Sequence, residues 1–439
     1  MRKYFYQLLA KYVGLYVLPQ NTLVEIDPKT DLLIENFTRG VAAYSESPTE
    51  IHHATSSHIL DLATLKNPPD YFLLNGRLHY ERDIQSLLRQ LYQACDSHTR
   101  VIVVYYNSLW KPLMKLASRF GWRRKTPELN WLTHGDIDNF LVLENFEVVR
   151  RDHKLLIPLP IPLVSNLVNR YLAALPLFRL FSLVNIVVAR PLIKLHVDKR
   201  PSVSIVVPAR NEAGNIESIV KRTPKMGPDD ELIFVEGNSS DGTWEEICNV
   251  YERFRSQRNI VITKQDGTGK GDAVRKGFQL ARNEILMILD ADLTVAPEDL
   301  VKFYDAFTTG KGEFINGSRL VYPMEKRAMR FANLVGNKFF ATAFSFVLGQ
   351  PFKDTLCGTK IISKVHYQKL SQNRSYFGEF DSFGDFDLIF GASRMCLKFI
   401  EVPINYKERV YGETNISRWR HGFLLLTMLI FAARKIKFV

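Results

Sequence analysis

Two carboxylates separated by one small residue, Asp290-Ala-Asp292, close an almost continuously apolar run, Glu284-Ile-Leu-Met-Ile-Leu289. Such a run suits a strand buried on both faces of a parallel sheet. Ala291 lets both acids reach one point at the carboxyl end of that strand, where open α/β sheets bind ligands. Two hard oxygen ligands with open neighbouring positions suit a divalent cation that also holds a diphosphate. A plain polar turn produces the same tripeptide, so the flanking sequence must decide between them. Three further polar segments precede it. Pro208-Ala-Arg-Asn-Glu212 follows one apolar run, and Glu236-Gly-Asn-Ser-Ser-Asp241-Gly-Thr follows a second. The third, Gly267-Thr-Gly-Lys270-Gly-Asp272, places a lysine where a helix begins. Gly271 in place of Ser or Thr excludes a Walker A loop, but a glycine-rich turn bearing lysine at a helix start still suits a phosphate or nucleotide.

The elements that must position these residues alternate. From Ser202 the pattern predicts strands at Val203–Val207, Leu232–Val235 and Asn259–Thr263, helices after Asn215 and from Thr243, and a helix over Asp272–Ala281 that leads into the acidic strand. A first α/β stretch runs from Thr22 to about Asp152. Leu23-Val-Glu-Ile26, Tyr71-Phe-Leu-Leu74 and Arg100-Val-Ile-Val-Val-Tyr-Tyr106 read as its strands, and Ser86–Cys95 as an amphipathic helix. Between the two lies an apolar, proline-rich segment, Leu155-Leu-Ile-Pro-Leu-Pro-Ile-Pro-Leu-Val164, followed by residues 163–192 interrupted by Asn169, Arg170 and Arg179. It suits either a bridge between domains or a membrane interface. The expected division is 1–158, a linker region 159–200, 201–415, and a basic amphipathic terminal helix 416–439.

Residues 201 to 420 resemble the family 2 glycosyltransferases of the GT-A fold, most closely the dolichyl- or polyprenyl-phosphate sugar synthases. The resemblance rests on Val206-Val-Pro-Ala-Arg-Asn-Glu212, Asp241-Gly-Thr243, Asp290-Ala-Asp292-Leu, Asn316-Gly-Ser-Arg319, Asp354-Thr-Leu-Cys-Gly358, Glu401-Val-Pro-Ile404 and Arg409-Val-Tyr-Gly412. It implies a nucleotide-binding set of Pro208, Asn211, Glu212 and Glu236, with Asp272 near the base or ribose, beside the Lys270 turn. Asp290 and Asp292 would hold Mg²⁺ or Mn²⁺ against the sugar diphosphate, and Arg319 and Arg409 would neutralise phosphate oxygens. Relatives often place Gln two residues after the second acid; here Thr294 stands there as the third metal contact. The implied reaction is inverting displacement at the anomeric carbon. An ionised lipid phosphate acceptor needs no base, whereas a hydroxyl acceptor does, and Asp385 and Asp387 in Gly384-Asp-Phe-Asp387 are the candidates.

The first half resembles class I S-adenosylmethionine methyltransferases at Pro69-Asp-Tyr-Phe-Leu-Leu-Asn-Gly-Arg-Leu-His-Tyr80 and Asp136–Arg150. Their glycine-rich cofactor turn is replaced by Glu25-Ile-Asp-Pro-Lys-Thr-Asp-Leu32, and the region expected to end strand two, Gly40-Val-Ala-Ala-Tyr44, has no acid for the ribose. The fold class expected is therefore α/β in two domains: a degenerate, Rossmann-like methyltransferase-type domain that binds no S-adenosylmethionine, then a GT-A mixed-sheet nucleotide-diphospho-sugar transferase.

The 439 residues carry a formal net charge of +12, which favours anionic partners. No nucleic-acid-binding signature accompanies it. Four scattered cysteines without a Cys-x-x-Cys pair fit a reduced compartment rather than a zinc site or disulfide framework. The start lacks the features of a signal peptide, and no stretch reaches the ~20 apolar residues of a membrane span. Arg327–Phe346 and Arg418–Lys437 set apolar and aromatic residues among basic ones, which suits an interfacial anchor as well as a core helix. The expected partners are a nucleotide-sugar donor and a lipid-phosphate acceptor at a membrane surface, with no nucleic acid; the expected location is cytoplasmic and peripheral to the membrane. A homo-oligomer is compatible with this. The alternatives are a transferase to a glycan or other hydroxyl acceptor, a methyltransferase with an accessory sugar-binding module, and a scaffold.

Overall fold

The computed structural model describes residues 2–18, 20–41, 50–54, 59, 68–121, 130–193, 200–322, 331–374, 386–407, 409, 411 and 418–439. The chain divides into two compact units. The first comprises Met1–Ile193 with the short segments Arg394–Cys396 and Ala433–Val439; the second comprises Lys194–Ser393 and Leu397–Ala432.

The first unit is built on a six-stranded sheet of β1 (Thr22–Ile26), β2 (Glu50–Ala54), β3 (Tyr71–Asn75), β4 (Arg100–Tyr106), β5 (Phe146–Lys154) and β6 (Val184–Pro191). The order is β2-β1-β3-β4-β6-β5; the first four are parallel, and β6 runs antiparallel to both of its neighbours. β3 and β4 are the continuous apolar runs that a two-faced burial demands. β6 is buried at every position and lies inside the segment expected to be a linker. A buried strand and an interfacial segment share one composition, and only pairing with β4 and β5 separates them. The helix Ile84–Gln93 starts where Asp83 accepts the backbone N–H of Ser86, and buries Leu87, Leu88 and Leu91 against the sheet. Gly40 lies in the helix Leu32–Val41 rather than at the end of a strand, and the second strand is β2. Residues 42–44 are outside the described residues.

The second unit is an α/β domain on a mixed seven-stranded sheet. Its strands are β7 (Val203–Ala209), β8 (Glu231–Glu236), β9 (Asn259–Lys264), β10 (Ile285–Ile288), β11 (Phe314–Ser318), β12 (Lys360–Ser363) and β13 (Phe399–Pro403), in the order β13-β11-β12-β10-β7-β8-β9. β10, β7, β8 and β9 are parallel, and β12 is antiparallel to both β10 and β11. The helix Lys270–Leu280 lies against β7 through Gly277, where an added Cβ would run into the Val206 side chain. Helices Phe331–Leu348 and Arg418–Ala432 contact one another, and the Phe344 ring packs against Phe386 and Phe390 of the helix Phe386–Arg394. Among the described residues no helix is long and apolar enough to cross a membrane.

Candidate functional site

The parallel strands β7, β8 and β10 deliver their carboxyl ends to one edge of the second sheet, and the loops there are cross-linked. Asn211, in the left-handed region at φ 57°, donates its backbone N–H to Ser239 Oγ and accepts the N–H of Ser240 at Oδ1. Asn is among the few residues that adopt this conformation readily. Glu236 Oε1 accepts Ser239 N–H at 2.6 Å, and Glu212 N–H donates to Thr243 Oγ1. Asp241 accepts from Ala213 N–H, Thr243 and the Tyr411 hydroxyl. Burial alone would raise its pKa, but these donors hold it below the ordinary value. Pro208 is half-buried in β7, opposite Val235.

The acidic pair follows β10. Lys270 Nζ lies 2.7 Å from Asp290 Oδ1. Arg409 bridges two acids, with Nη1 3.1 Å from Glu212 Oε1 and Nη2 2.8 Å from Asp292 Oδ2. The other oxygen of Asp292 accepts both the backbone N–H (3.1 Å) and the hydroxyl (2.7 Å) of Thr294. Thr294 thereby holds Asp292 in place. Burial pushes the Asp290 carboxyl upward, but Lys270, with Lys360 and Arg319 behind it, holds its pKa below the ordinary value. Glu212 goes the other way: burial outweighs Arg409 and Asn215, and with Asp292 and Asp241 nearby its pKa rises to about 7.

Residues absent from the sequence-based set complete the site. Antiparallel pairing of Ile288 with Lys360 extends to bring Gly358 beside Asp290. A Cβ on Gly358 would overlap Asp290 Oδ2 and Lys270 Nζ, so only a bare backbone fits there. Asp354 takes the Arg319 guanidinium in a two-pronged pair at 2.7 Å and 2.7 Å, and also accepts the backbone N–H groups of Arg319 and Leu356. The Arg319 guanidinium also lies over the Tyr406 ring, 5.2 Å from its centroid. Both Gly358 and Asp354 stand in the segment Asp354–Gly358, whose residue types fit the resemblance, but its position opposite Asp290 follows from strand register.

Other predicted residues are placed differently. Asp272 accepts Gly267 N–H at 2.7 Å and so closes the glycine-rich turn. Asp387 lies 3.3 Å from Arg374 Nε and 3.9 Å from Arg275 Nη1, and Arg275 also reaches Asp272 at 3.8 Å. Asp385 lies outside the described residues.

Among the described residues no three His, Cys, Asp or Glu side chains gather as a metal cage. Asp290 and Asp292 instead present hard carboxylate oxygens, each paired with one basic side chain. That donor set fits a divalent cation shared with an anionic ligand whose oxygens complete the shell. It also fits the ligand itself: Lys270 and Arg409 are the fixed charges that a diphosphate would meet.

Residues 204–371 match the glycosyl transferase family 2 profile. A Haloferax volcanii glycosyltransferase, AglJ, is 28% identical over 230 residues, covering 52% of this chain and 71% of that protein. The Saccharomyces cerevisiae dolichol-phosphate mannosyltransferase is 38% identical over 117 residues, 24% of this chain and 43% of that protein. The polyprenol monophosphomannose synthase of Mycolicibacterium smegmatis is 28% identical over 219 residues, 48% of this chain and 80% of that protein. Among solved structures, the glucosyl-3-phosphoglycerate synthase of Mycobacterium tuberculosis, in complex with Mn²⁺, UDP and glucosyl-3-phosphoglycerate, is similar at a TM-score of 0.40 and 18% identity, covering 54% of this chain and 80% of that one. Residues 204–371 are a glycosyl transferase family 2 domain, and the chain that carries them is a glycosyltransferase.

Proposed function

We propose that this glycosyltransferase is an inverting, metal-dependent enzyme that moves a hexose from a nucleotide sugar to a polyprenyl-phosphate-type lipid. The observation that carries the reading is the doubly paired acidic step: Asp290 with Lys270 and Asp292 with Arg409, at a strand end backed by the bare backbone of Gly358. The named relatives, a dolichol-phosphate mannosyltransferase and a polyprenol monophosphomannose synthase, support the lipid-phosphate acceptor.

In this reading Asp290 and Asp292 hold Mg²⁺ or Mn²⁺, with Thr294 fixing Asp292. When bound, the cation supplies positive charge to the departing nucleoside diphosphate. Lys270 and Arg409 donate to the diphosphate oxygens, and their worth grows as negative charge builds during bond cleavage. Glu212 orients Arg409. Pro208, Asn211 and Glu236 border the nucleotide side, and Asp272 keeps the Lys270 turn closed. Arg319 adds positive charge to the same edge while its guanidinium is held by Asp354.

The acceptor is proposed to be a phosphate because it is already ionised. The pairing of Asp387 with two arginines favours that over a hydroxyl acceptor, since a carboxylate so neutralised is a weak base. A peripheral position at a membrane surface is supported by the helix Arg418–Ala432, which exposes Phe423 and Ile430, and by exposed Phe339 on the helix it contacts. The first unit is proposed to be methyltransferase-like but non-methylating. Its parallel sheet with one antiparallel strand inserted supports the likeness, and the glycine-free turn after β1, where Asp27 is ion-paired with Arg77, supports the loss.

The test is a donor-hydrolysis screen of nucleotide sugars with Mg²⁺ or Mn²⁺, with and without polyprenyl phosphate. Transfer should require metal and lipid phosphate and vanish in Asp290→Ala and Asp292→Ala; activity that survives both substitutions rejects the mechanism. Titration calorimetry with S-adenosylmethionine should give no heat of binding, and micromolar affinity would reject the reading of the first unit.

A further inference from the structure

In the first unit, the proline-rich segment after β5 is built inside out. Its polar groups are satisfied internally: Asn169 Oδ1 accepts the N–H groups of Leu156 and Ile157 at 2.8 Å each, and its amide donates to Ile157 O. Ser165 donates to Leu159 O and accepts from Ile161 N–H. The following limb is tied down from the turn after β4, where Asn107 donates to Leu180 O and the Trp110 indole to Phe181 O. These ties make one platform of residues 107–120, 155–172 and 177–183. Leu155 and Leu183 anchor it in the core, but many of its apolar side chains point to water. Leu163 is 82% exposed, Leu177 70% and Phe120 60%. Leu163 sits at φ 60° and ψ −47°, and Val164 N–H donates to Pro162 O across it, the rare strained hand of γ-turn. A strained backbone that holds an exposed leucine at a loop tip stabilises nothing in the folded chain, which is the pattern of a functional site.

Apolar surface of this extent marks a docking face. Charge identifies the occupant. From Asn107 to Gly121 and from Lys154 to Ile193 the sequence contains no aspartate or glutamate, while Lys115, Arg119 and Arg179 are exposed among the apolar groups. We propose that this platform is a membrane-docking surface that inserts its leucine and phenylalanine side chains into the interfacial region of a bilayer and sets its basic side chains against anionic headgroups. It extends the membrane-surface reading above, but rests on the first unit alone. It also gives that unit a task independent of methyl transfer: an anchor that contributes to holding the enzyme at the lipid.

Flotation of the full chain with vesicles of phosphatidylcholine, with and without phosphatidylserine, tests it. Wild type should float, more so with phosphatidylserine, and salt should weaken that preference. Leu163→Asp with Leu177→Asp should lower binding to both vesicle types by at least about tenfold. Lys115→Glu with Arg119→Glu and Arg179→Glu should abolish only the preference for phosphatidylserine. All five sites are exposed, and metal-dependent donor hydrolysis in solution, which needs no membrane, reports that each variant is folded. The proposal is overturned if wild type stays unbound, if the leucine double variant floats like wild type, or if sedimentation shows a dimer that the leucine substitutions dissociate. Loss of docking by the leucine double variant with donor hydrolysis intact supports the docking surface, whereas absent hydrolysis with docking intact rejects only the proposed transfer.

Discussion

Glu212 is the residue whose protonation couples most directly to the acidic step, because its carboxylate shares Arg409 with Asp292. Burial raises its pKa from 4.5 to about 7. Between those values the folded protein binds a proton that the unfolded chain has released, so this group's contribution to stability falls as pH rises through the window and is lowest above about 7. Glu212→Gln removes that titration. Denaturant midpoints measured at pH 5 and pH 8 should show the variant gaining on wild type at the higher pH; a difference that does not change with pH would show that Glu212 does not titrate there. Gly358→Ala tests the site's sterics. The new methyl would displace Asp290 or Lys270, so donor hydrolysis should fall by about 100-fold or more, as for loss of a key electrostatic group. Far-UV circular dichroism should stay unchanged, and near-normal turnover would show that Asp290 is not held as described. Arg319 and Asp354 form a nearly buried pair. Asp354→Ala strands the guanidinium and should cost about 3–5 kcal/mol of unfolding free energy. Arg319→Lys should recover little, because an ammonium cannot satisfy both oxygens in the plane; full recovery would mean that charge alone matters.

At the scale of the element, the helix Lys270–Leu280 carries Lys270 to Asp290, and its distance from β7 is set by Gly277 against Val206. Gly277→Ala overpacks that contact and should cost about 1–3 kcal/mol while lifting Lys270 away from the acidic pair. Donor KM should rise in steady-state kinetics; an unchanged KM together with unchanged stability would show that the helix has slack. Elements such as β4 and β10 are legible in the sequence because burial on both faces requires an uninterrupted apolar run. β6 was less so. Val184–Pro191 follows directly on an exposed apolar segment, and hydrophobicity does not distinguish a strand that will find two neighbours from a surface that will find none. The same ambiguity affects Arg418–Ala432, whose apolar residues divide between buried Leu425 and Met428 and exposed Phe423 and Ile430.

At the scale of the whole molecule, the last residues of the chain return to the first unit. Lys437 Nζ lies 2.8 Å from Asp152 Oδ1, Arg150 Nε lies 2.7 Å from Oδ2, and the Tyr16 hydroxyl donates to the same carboxylate. Arg150 and Lys154 also donate to the carbonyls of Ile436 and Lys437. Burial would raise the Asp152 pKa, but Arg150, Lys437 and Lys154 hold it well below the ordinary carboxylate value. The stabilisation is thus complete above about pH 4, the unfolded value, and is lost as pH falls below it. Lys437→Ala should lower unfolding free energy at neutral pH by about 3 kcal/mol and shrink the acid sensitivity of the first unit. Hydrogen exchange over β5 would report it, and unaltered protection would show that Arg150 and Lys154 suffice.

The chemistry available to the second unit is legible in the order of its residues. Paired acids, a glycine-rich lysine turn and polar strand ends are residue types in order along the chain, and a parallel sheet sends successive strand ends to one edge. Which of these groups pair is set by the packing of distant segments. Arg409 meets Asp292 and Glu212 across 117 and 197 residues, and Gly358 meets Asp290 because β12 runs antiparallel to β10. Arg319, a phosphate contact by residue type, is held by Asp354, and Asp387 by two arginines. Local pattern specifies which groups stand at the end of each strand. Strand order and register, set by packing among distant segments, specify which of those groups touch.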